Sequence, residues 1–352
     1  MKNNKIKVIL LVCLLMLTTG CGNKNYILDS KKQPVTVQGQ VVQKNIFCRP
    51  SEGTEMYEVY KKYSKQMDIK LKDLPTCDNF KINSNKTDSL WEFLFVKPLA
   101  YLILKLGNVL TGWGLKSTAL AISLMLIGLA IRLIILPFNI KTQNQSKKMQ
   151  EMMPEMQKIE RKYANRTDQE AMILKSQETM ELYKKYKVSP FLSCLLSLIQ
   201  LPLFFAFLQA IYKIPTIYEG EIFGLGLGVT PSVGIFDYHQ YGFIILVILI
   251  ILTTYFSFQY TMKQSASANN EAAKQMKTML IVMTVIISFA SFSLPTAIAL
   301  YWIVTYAFII IQTFIMNLIQ KNKDKKRKSD KKNKSIKDKL KVKEGLKYGK
   351  NN

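Results

Sequence analysis

One residue in this chain has the type and position to do chemistry where chemistry is costly. Leu115–Ile140, LKSTALAISLMLIGLAIRLIILPFNI, is an apolar run of membrane length with Arg132 the one charge inside it, Lys116 standing at its edge. At about 1.5 Å per helical residue, Arg132 lies roughly 13 Å from Lys141, the first charge beyond the run, near mid-depth of a hydrocarbon core about 30 Å thick. An arginine there costs about 2.5–3.5 kcal/mol, so it normally faces protein, a polar cavity or a counter-ion. Snorkelling to the headgroups and a structural ion pair are the two plain alternatives. The stem of an arginine reaches only about 6 Å, short of the distance required, and the later apolar blocks hold no Asp or Glu. A buried guanidinium without an acidic partner in its own chain reads as a site for something polar or anionic.

Other constellations are missing from the sequence. There is no Gly-rich phosphate loop and no Ser/His/Asp set. The single His and the scattered cysteines have no metal-ligand spacing. No catalytic residue, metal site or cofactor is expected, and the protein is not read as an enzyme.

The elements that position Arg132 follow from composition. The 352 residues are 49% hydrophobic yet carry a net charge of +25, and the two extremes occupy separate blocks, which marks an integral membrane protein rather than one globular core. Residues 1–21 carry Lys2, Lys5 and Lys7, then an apolar stretch from Val8 to Leu17 too short to span, then small residues ending at Cys21. That is a secretory signal, and Leu17–Cys21 resembles the bacterial lipobox in which the cysteine is lipidated, with Thr18 where that pattern favours Leu. Cleavage without lipidation of Cys21 is the alternative. Residues 22–89 form a polar extracytoplasmic extension in which Cys48 and Cys77 are candidates for a disulfide closing a loop of about 30 residues, worth roughly 3–4 kcal/mol. Residues 91–110 are apolar but interrupted by Glu92, Lys97, Pro98 and Lys105, which predicts a helix in the outer interface with Trp91 and Tyr101 at headgroup level.

The core, residues 90–319, then contains five predicted spans at about 115–140, 190–212, 242–262, 278–294 and 296–319. Between the first two, residues 141–189 predict a helical hairpin. Met149, Met152, Met156, Ile159 and Tyr163 line its first helix, and Thr167–Glu170 reads as a capping box opening a second helix with Ile173, Met180 and Tyr183 inward. The spans also carry polar residues, among them Gln200, Gln209, Thr254, Thr305 and Gln312, which in lipid seek partners or a wet cavity. Eleven basic residues in 141–189 against one, Lys213, in 213–241 place the hairpin and the C-terminus in the cytoplasm. An exported Cys21 agrees with that orientation. Residues 320–352 hold fifteen Lys or Arg against four acidic residues, net +11. This predicts a solvated tail without fixed structure, suited to anionic lipid or to ribosomal RNA.

The order of Arg132–Pro137, Ser146–Met149 with Met153–Pro154, Leu182–Tyr186, Ser189–Pro190 before Cys194, Gln200–Phe205 and Ala299–Trp302 resembles the YidC/Oxa/Alb membrane protein insertases, over about Phe95 to Asn317. The lipoprotein-type N-terminus resembles that of Gram-positive members. The resemblance implies an all-α integral protein of the bacterial cell membrane, with five transmembrane helices, a cytoplasmic helical hairpin and an outer interfacial helix. It implies a hydrophilic groove, open to cytoplasm and lipid and closed outside, in which Arg132 draws the polar outer segment of a client partway across. Gln200 and Trp302 match positions at or near that groove. The partners so implied are nascent membrane proteins, the Sec translocon, the ribosome through the basic tail, and anionic lipids. Lys187–Pro190 and Cys194–Leu196 depart from the family's usual Gly-Val-Asn-Pro and Cys-Leu-Pro, and residues 22–89 match nothing in it.

From the residues alone, a small-anion transporter using Arg132 is the rival class. Such transporters show internal repeats with broken helices, and the two halves of this chain show none.

Overall fold

The computed structural model describes residues 25–84, 89–166, 168–263 and 271–348, so Cys21 and the signal lie outside the described residues. The described residues are mostly helical, with four two-residue strands among them. Residues 25–84 form a small lobe. Its strands β1 (Thr36–Val37) and β2 (Gln40–Val41) make an antiparallel hairpin, followed by α1 (Glu55–Lys62), capped by the Thr54 hydroxyl. Ile27, Val37, Val42, Met56, Tyr60 and Leu74 fill its interior. Cys48 and Cys77 are bonded, with Cα atoms 4.8 Å apart.

Next come α2 (Lys97–Leu110) and a turn through Gly114 at φ 95°. Helix α3 (Ala119–Lys162) packs antiparallel on α2: the Ser123 hydroxyl donates to the Ile103 carbonyl at 2.6 Å, and Gly107 leaves room for Leu120. At the start of the apolar stretch, Trp91 donates its indole N–H to Gln209 at 3.1 Å. That bond ties Trp91 to the predicted span 190–212 near its Lys213 end.

The first span and the first hairpin helix, separate segments in the sequence reading, are one continuous helix of 44 residues through Pro137 and Pro154. Each proline removes one i→i−4 hydrogen bond, and the helix continues past both. Helix α4 (Gln169–Tyr186) folds back on it. Its N-cap is Asp168, which accepts from the Ala171 N–H at 3.0 Å and pairs with Arg166; Thr167 lies outside the described residues. The buried face is Ala171 and Leu182 against Met152 and Tyr163, whereas Ile173 and Met180, expected inward, are 52% and 61% exposed. At 100° per residue they stand about 180–200° round the helix from Ala171. Two carboxylates join the helices: Glu155 accepts from Lys185 and Tyr186, and Glu178 accepts from Lys162 and Tyr163.

Helix α5 (Pro190–Lys213) returns to the end where α3 began. The segment from Ile214 to Tyr241 holds strands β3 (Glu221–Ile222) and β4 (Leu225–Gly226), paired antiparallel, and the short α6 (Pro231–Phe236). Helices α7 (Gly242–Lys263), α8 (Glu271–Ser293) and α9 (Thr296–Tyr348) complete the chain. By length and composition, three stretches among the described residues are apolar and long enough to cross a membrane: Glu92–Met149, Gly242–Tyr260 and Thr296–Asn322; Ile281–Ser293 is a shorter apolar helix. Helix α9 carries the boundary between two compact units, residues 1–307 and 308–352. The tail expected to lack structure continues the helix to Tyr348. Lys-rich sequence without Pro, and with Gly345 the one glycine before Tyr348, has good helix propensity and propagates from an apolar helix already nucleated.

In the first unit the core lies at the end away from the hairpin. The loop carbonyls of Val229 and Leu227 accept from the N–H groups of Thr296 and Ala297, which opens α9, so two donors that a helix start leaves orphaned are satisfied. The lobe sits on the same loop. Gln38 donates to the Tyr218 carbonyl and accepts from the Thr230 N–H, both at 3.0 Å, and Ser51 donates to Glu219 through both N–H and hydroxyl. Gly39, at φ 84°, has no space for a Cβ against Thr230. Below it, Lys213 pairs with Glu92 at 3.0 Å, its ammonium 5.3 Å from the centre of the Phe47 ring.

The Glu92–Lys213 pair is nearly enclosed, at 5% and 16% side-chain exposure. Removing one partner leaves a buried charge uncompensated, at a cost of about 3–5 kcal/mol, while removing both costs far less. Lys213→Met and Glu92→Gln should therefore each lower the denaturation midpoint more than their double variant does; additive losses would contradict the coupling. In the hairpin, Lys185 with Tyr186 and Lys162 with Tyr163 hold the carboxyls of Glu155 and Glu178 below their ordinary value of 4.5. Depressed carboxylates stabilise above that ordinary value and lose the contribution as pH falls through the lower folded value. Spin labels at Lys158 and Glu181 should thus keep one narrow distance at neutral pH and broaden only below about pH 4.5. Glu155→Gln with Glu178→Gln should flatten that response.

Candidate functional site

Arg132 projects from α3. Among the described residues it makes no hydrogen bond or ion pair, and 7% of its surface is left exposed. Its electrostatic neighbours are the phenols of Tyr301 and Tyr306 on α9. One turn before it, Gly128 makes the approach feasible: a Cβ there would lie 3.0 Å from Cδ2 of Tyr301. Gly128 and Arg132, at i and i+4, therefore present a space and a cation on one helix face.

Aromatic stacking fixes the facing wall. Tyr301 stacks on Phe207 of α5, ring centres 4.3 Å apart. Trp302 turns to Phe204 one helical turn away, at 5.7 Å and nearly parallel. Tyr306 meets Phe258 of α7 at 6.1 Å. Residues 301–306 of α9 thereby tie α3, α5 and α7 together around the arginine. In the same wall, Thr254 and Thr305 are buried with hydroxyl oxygens that have no partner among the described residues.

Of the residues singled out in sequence, Arg132 and Trp302 belong to this layer, although Trp302 faces α5 while its neighbour Tyr301 faces the arginine. Gln200 is helical and one turn before Phe204, and its side chain lies outside the described residues. Cys48 and Cys77 belong to the lobe, away from Arg132. Gly128 and Tyr306 were not foreseen. The signal was present in the spacing: a glycine four residues before the buried charge, and two tyrosines five apart in an otherwise apolar helix.

Comparison with known proteins gives these residues a family. The family described as 60Kd inner membrane protein matches residues 113–325. "Membrane protein insertase YidC" of Oceanobacillus iheyensis is 34% identical over 237 residues, 66% of this chain and 85% of its own. The chain belongs to the YidC/Oxa1 family. "Membrane protein insertase MisCA" of Bacillus subtilis is 34% identical over 241 residues, covering 67% of this chain and 84% of its own. A solved structure, "Active YidC insertase crystal structure with the first transmembrane domain resolved", has a TM-score of 0.41 at 20% identity, over 74% of this chain and 51% of that one. As a member of the YidC/Oxa1 family with apolar helices of spanning length, the protein is membrane-integral. The family match begins at residue 113, so the lobe and α2 precede it.

Proposed function

We propose that this protein is a membrane protein insertase, in which Arg132 receives the polar or acidic segment of a client from the hairpin end of the bundle. The observation that carries the reading is the buried guanidinium with no hydrogen-bond or ion-pair partner among the described residues. At an effective dielectric of about 20, a carboxylate about 4 Å from it gains roughly 4 kcal/mol. An acidic residue at mid-depth costs about 2.5–3.5 kcal/mol. One contact therefore offsets the penalty of one client charge. The client's apolar segment is then taken up by lipid, and no bond is made or broken.

On this reading the five predicted spans are transmembrane, the lobe is extracytoplasmic and anchored through lipid on Cys21, and the hairpin and tail are cytoplasmic. Nascent membrane proteins are the clients, alone or with the Sec translocon. Gln200 and Trp302 border the path. The tail supplies contacts to ribosomal RNA or anionic lipid.

If charge is what matters, Arg132→Lys should keep much of the activity and Arg132→Ala should lose it for clients with acidic outer tails. The measurement is insertion of one client carrying zero, one or two acidic residues, by each variant at matched expression. A loss on Arg132→Ala that ignores the client's charge would sink the electrostatic mechanism. A small-anion transporter would show uptake abolished by Arg132→Ala with insertion intact. Deleting residues 320–352 should weaken ribosome association with a steep salt dependence, because a segment of net +11 acts by counterion release. Equal binding at physiological salt would move the tail's role to lipid.

A further inference from the structure

The loop between α5 and α7 contains a residue whose conformation nothing in the protein repays. Phe223 stands at the tip of the β3–β4 hairpin with φ 52°, followed by Gly224 at 76°. Such a two-residue turn favours Asn-Gly, since both positions need positive φ, and a bulky residue in that region is an outlier. Ile222 before it is buried in the core, yet Phe223 is 93% exposed. The ring gains no packing in exchange for the strain.

Its surroundings say what covers it. The Ser117 hydroxyl donates to Glu221 at 3.2 Å, which fastens the hairpin to the turn bearing Trp113, itself 77% exposed. On the other flank, a Cβ on Gly242 would lie 3.0 Å from Leu225, so the hairpin also abuts the start of α7, where Tyr241 is 68% exposed. Helix α3 becomes apolar from Ala119 and α7 from Phe243. The hairpin is thus level with the point at which two helices of membrane character begin. Exposed Trp and Tyr at that level favour the headgroup region, and an exposed Phe beside them can bury its ring at the boundary between headgroups and acyl chains.

We propose that Phe223, with Trp113 and Tyr241, forms an anchor that dips into the bilayer interface at the end of the bundle away from the hairpin, and that the lipid supplies the contact for which the strained turn is kept. The anchor holds the closing loop against the membrane while the opposite end stays free to receive a client. It rests on the membrane-spanning part of the proposed function, not on insertase activity.

The test is collision accessibility of nitroxide labels in the full chain reconstituted in phosphatidylglycerol/phosphatidylethanolamine vesicles, with Cys13, Cys21 and Cys194 replaced by serine. Labels are placed through Phe223→Cys, Trp113→Cys, Glu52→Cys as the aqueous reference and Ile248→Cys as the mid-span reference. The expected result is an oxygen-to-nickel-chelate collision ratio at 223 and 113 several-fold above that at 52 and below that at 248. Site 113 keeps the test valid if substitution at 223 disturbs its turn. A ratio at both sites equal to that at 52, with 248 lipid-like, overturns the anchor and leaves the spanning reading standing. Protection from both reagents points to a protein neighbour and also overturns it. An aqueous ratio at 248 removes the spanning reading and the anchor together.

Discussion

An arginine inside an apolar helix is the constraint on which the arrangement depends. Left against lipid it would cost several kcal/mol, so the chain must build an enclosure that is polar enough to tolerate it without cancelling it. Gly128 admits Tyr301, and Tyr301 and Tyr306 bring phenol groups rather than carboxylates. A carboxylate would have made a stable ion pair and used up the charge. Stacking of Tyr301 and Trp302 on α5 positions the wall without adding another charge.

The other end of the unit answers a different demand. Backbone groups that leave a helix near a membrane still need partners. The residues from Leu227 to Thr230 meet it by accepting from the start of α9 and bonding to Gln38 of the lobe. Alternate residues of the same loop enter two cores: Ile217 packs in the helical one, and Tyr218 in that of the lobe. The lobe is therefore not an appendage on a tether. It is seated on the loop by hydrogen bonds at Gln38 and Ser51 and by the Lys213 ammonium beside Phe47.

Legibility in the sequence tracked the strength of the underlying physics. The burial of Arg132 was readable because one charge in a long apolar run has few places to go. The hairpin was readable as two helices, but the inward face of α4 was misjudged. In a helix rich in Lys and Glu, the two carboxylates that join the helices outweighed Ile173 and Met180, which stayed exposed. The continuity of α3 was hidden because the apolar span and the polar hairpin helix differ in composition and were read as separate segments. The helical tail was hidden because charge density was taken as disorder. Tyr306 and Gly128 needed packing between distant segments, which no single-segment pattern contains. The fold of the lobe was unreadable for a related reason: its core is assembled from strands of two residues and a helix of eight, which no single-segment pattern joins.

The registry of α3 sharpens what the arginine could do for a client. The helix begins at Ala119, four residues later than the apolar run, so Arg132 lies about 20 Å from the closed end and about 13 Å from Lys141. On the proposed reading, a polar segment entering from the hairpin side meets the cation before half of the span is behind it. Beyond lie Ala121 and Leu124, both fully buried, with no charge between Arg132 and Lys116. On the same reading, Arg132 lowers the cost of the first part of the crossing only, and the remainder is driven by burial of the client's own apolar helix, at about 25 cal/mol per Å² transferred from water. A site that held the acidic segment tightly would oppose that second step. A single cation of modest gain, in a wall of hydroxyls and aromatic rings, suits a contact that must form and then be given up.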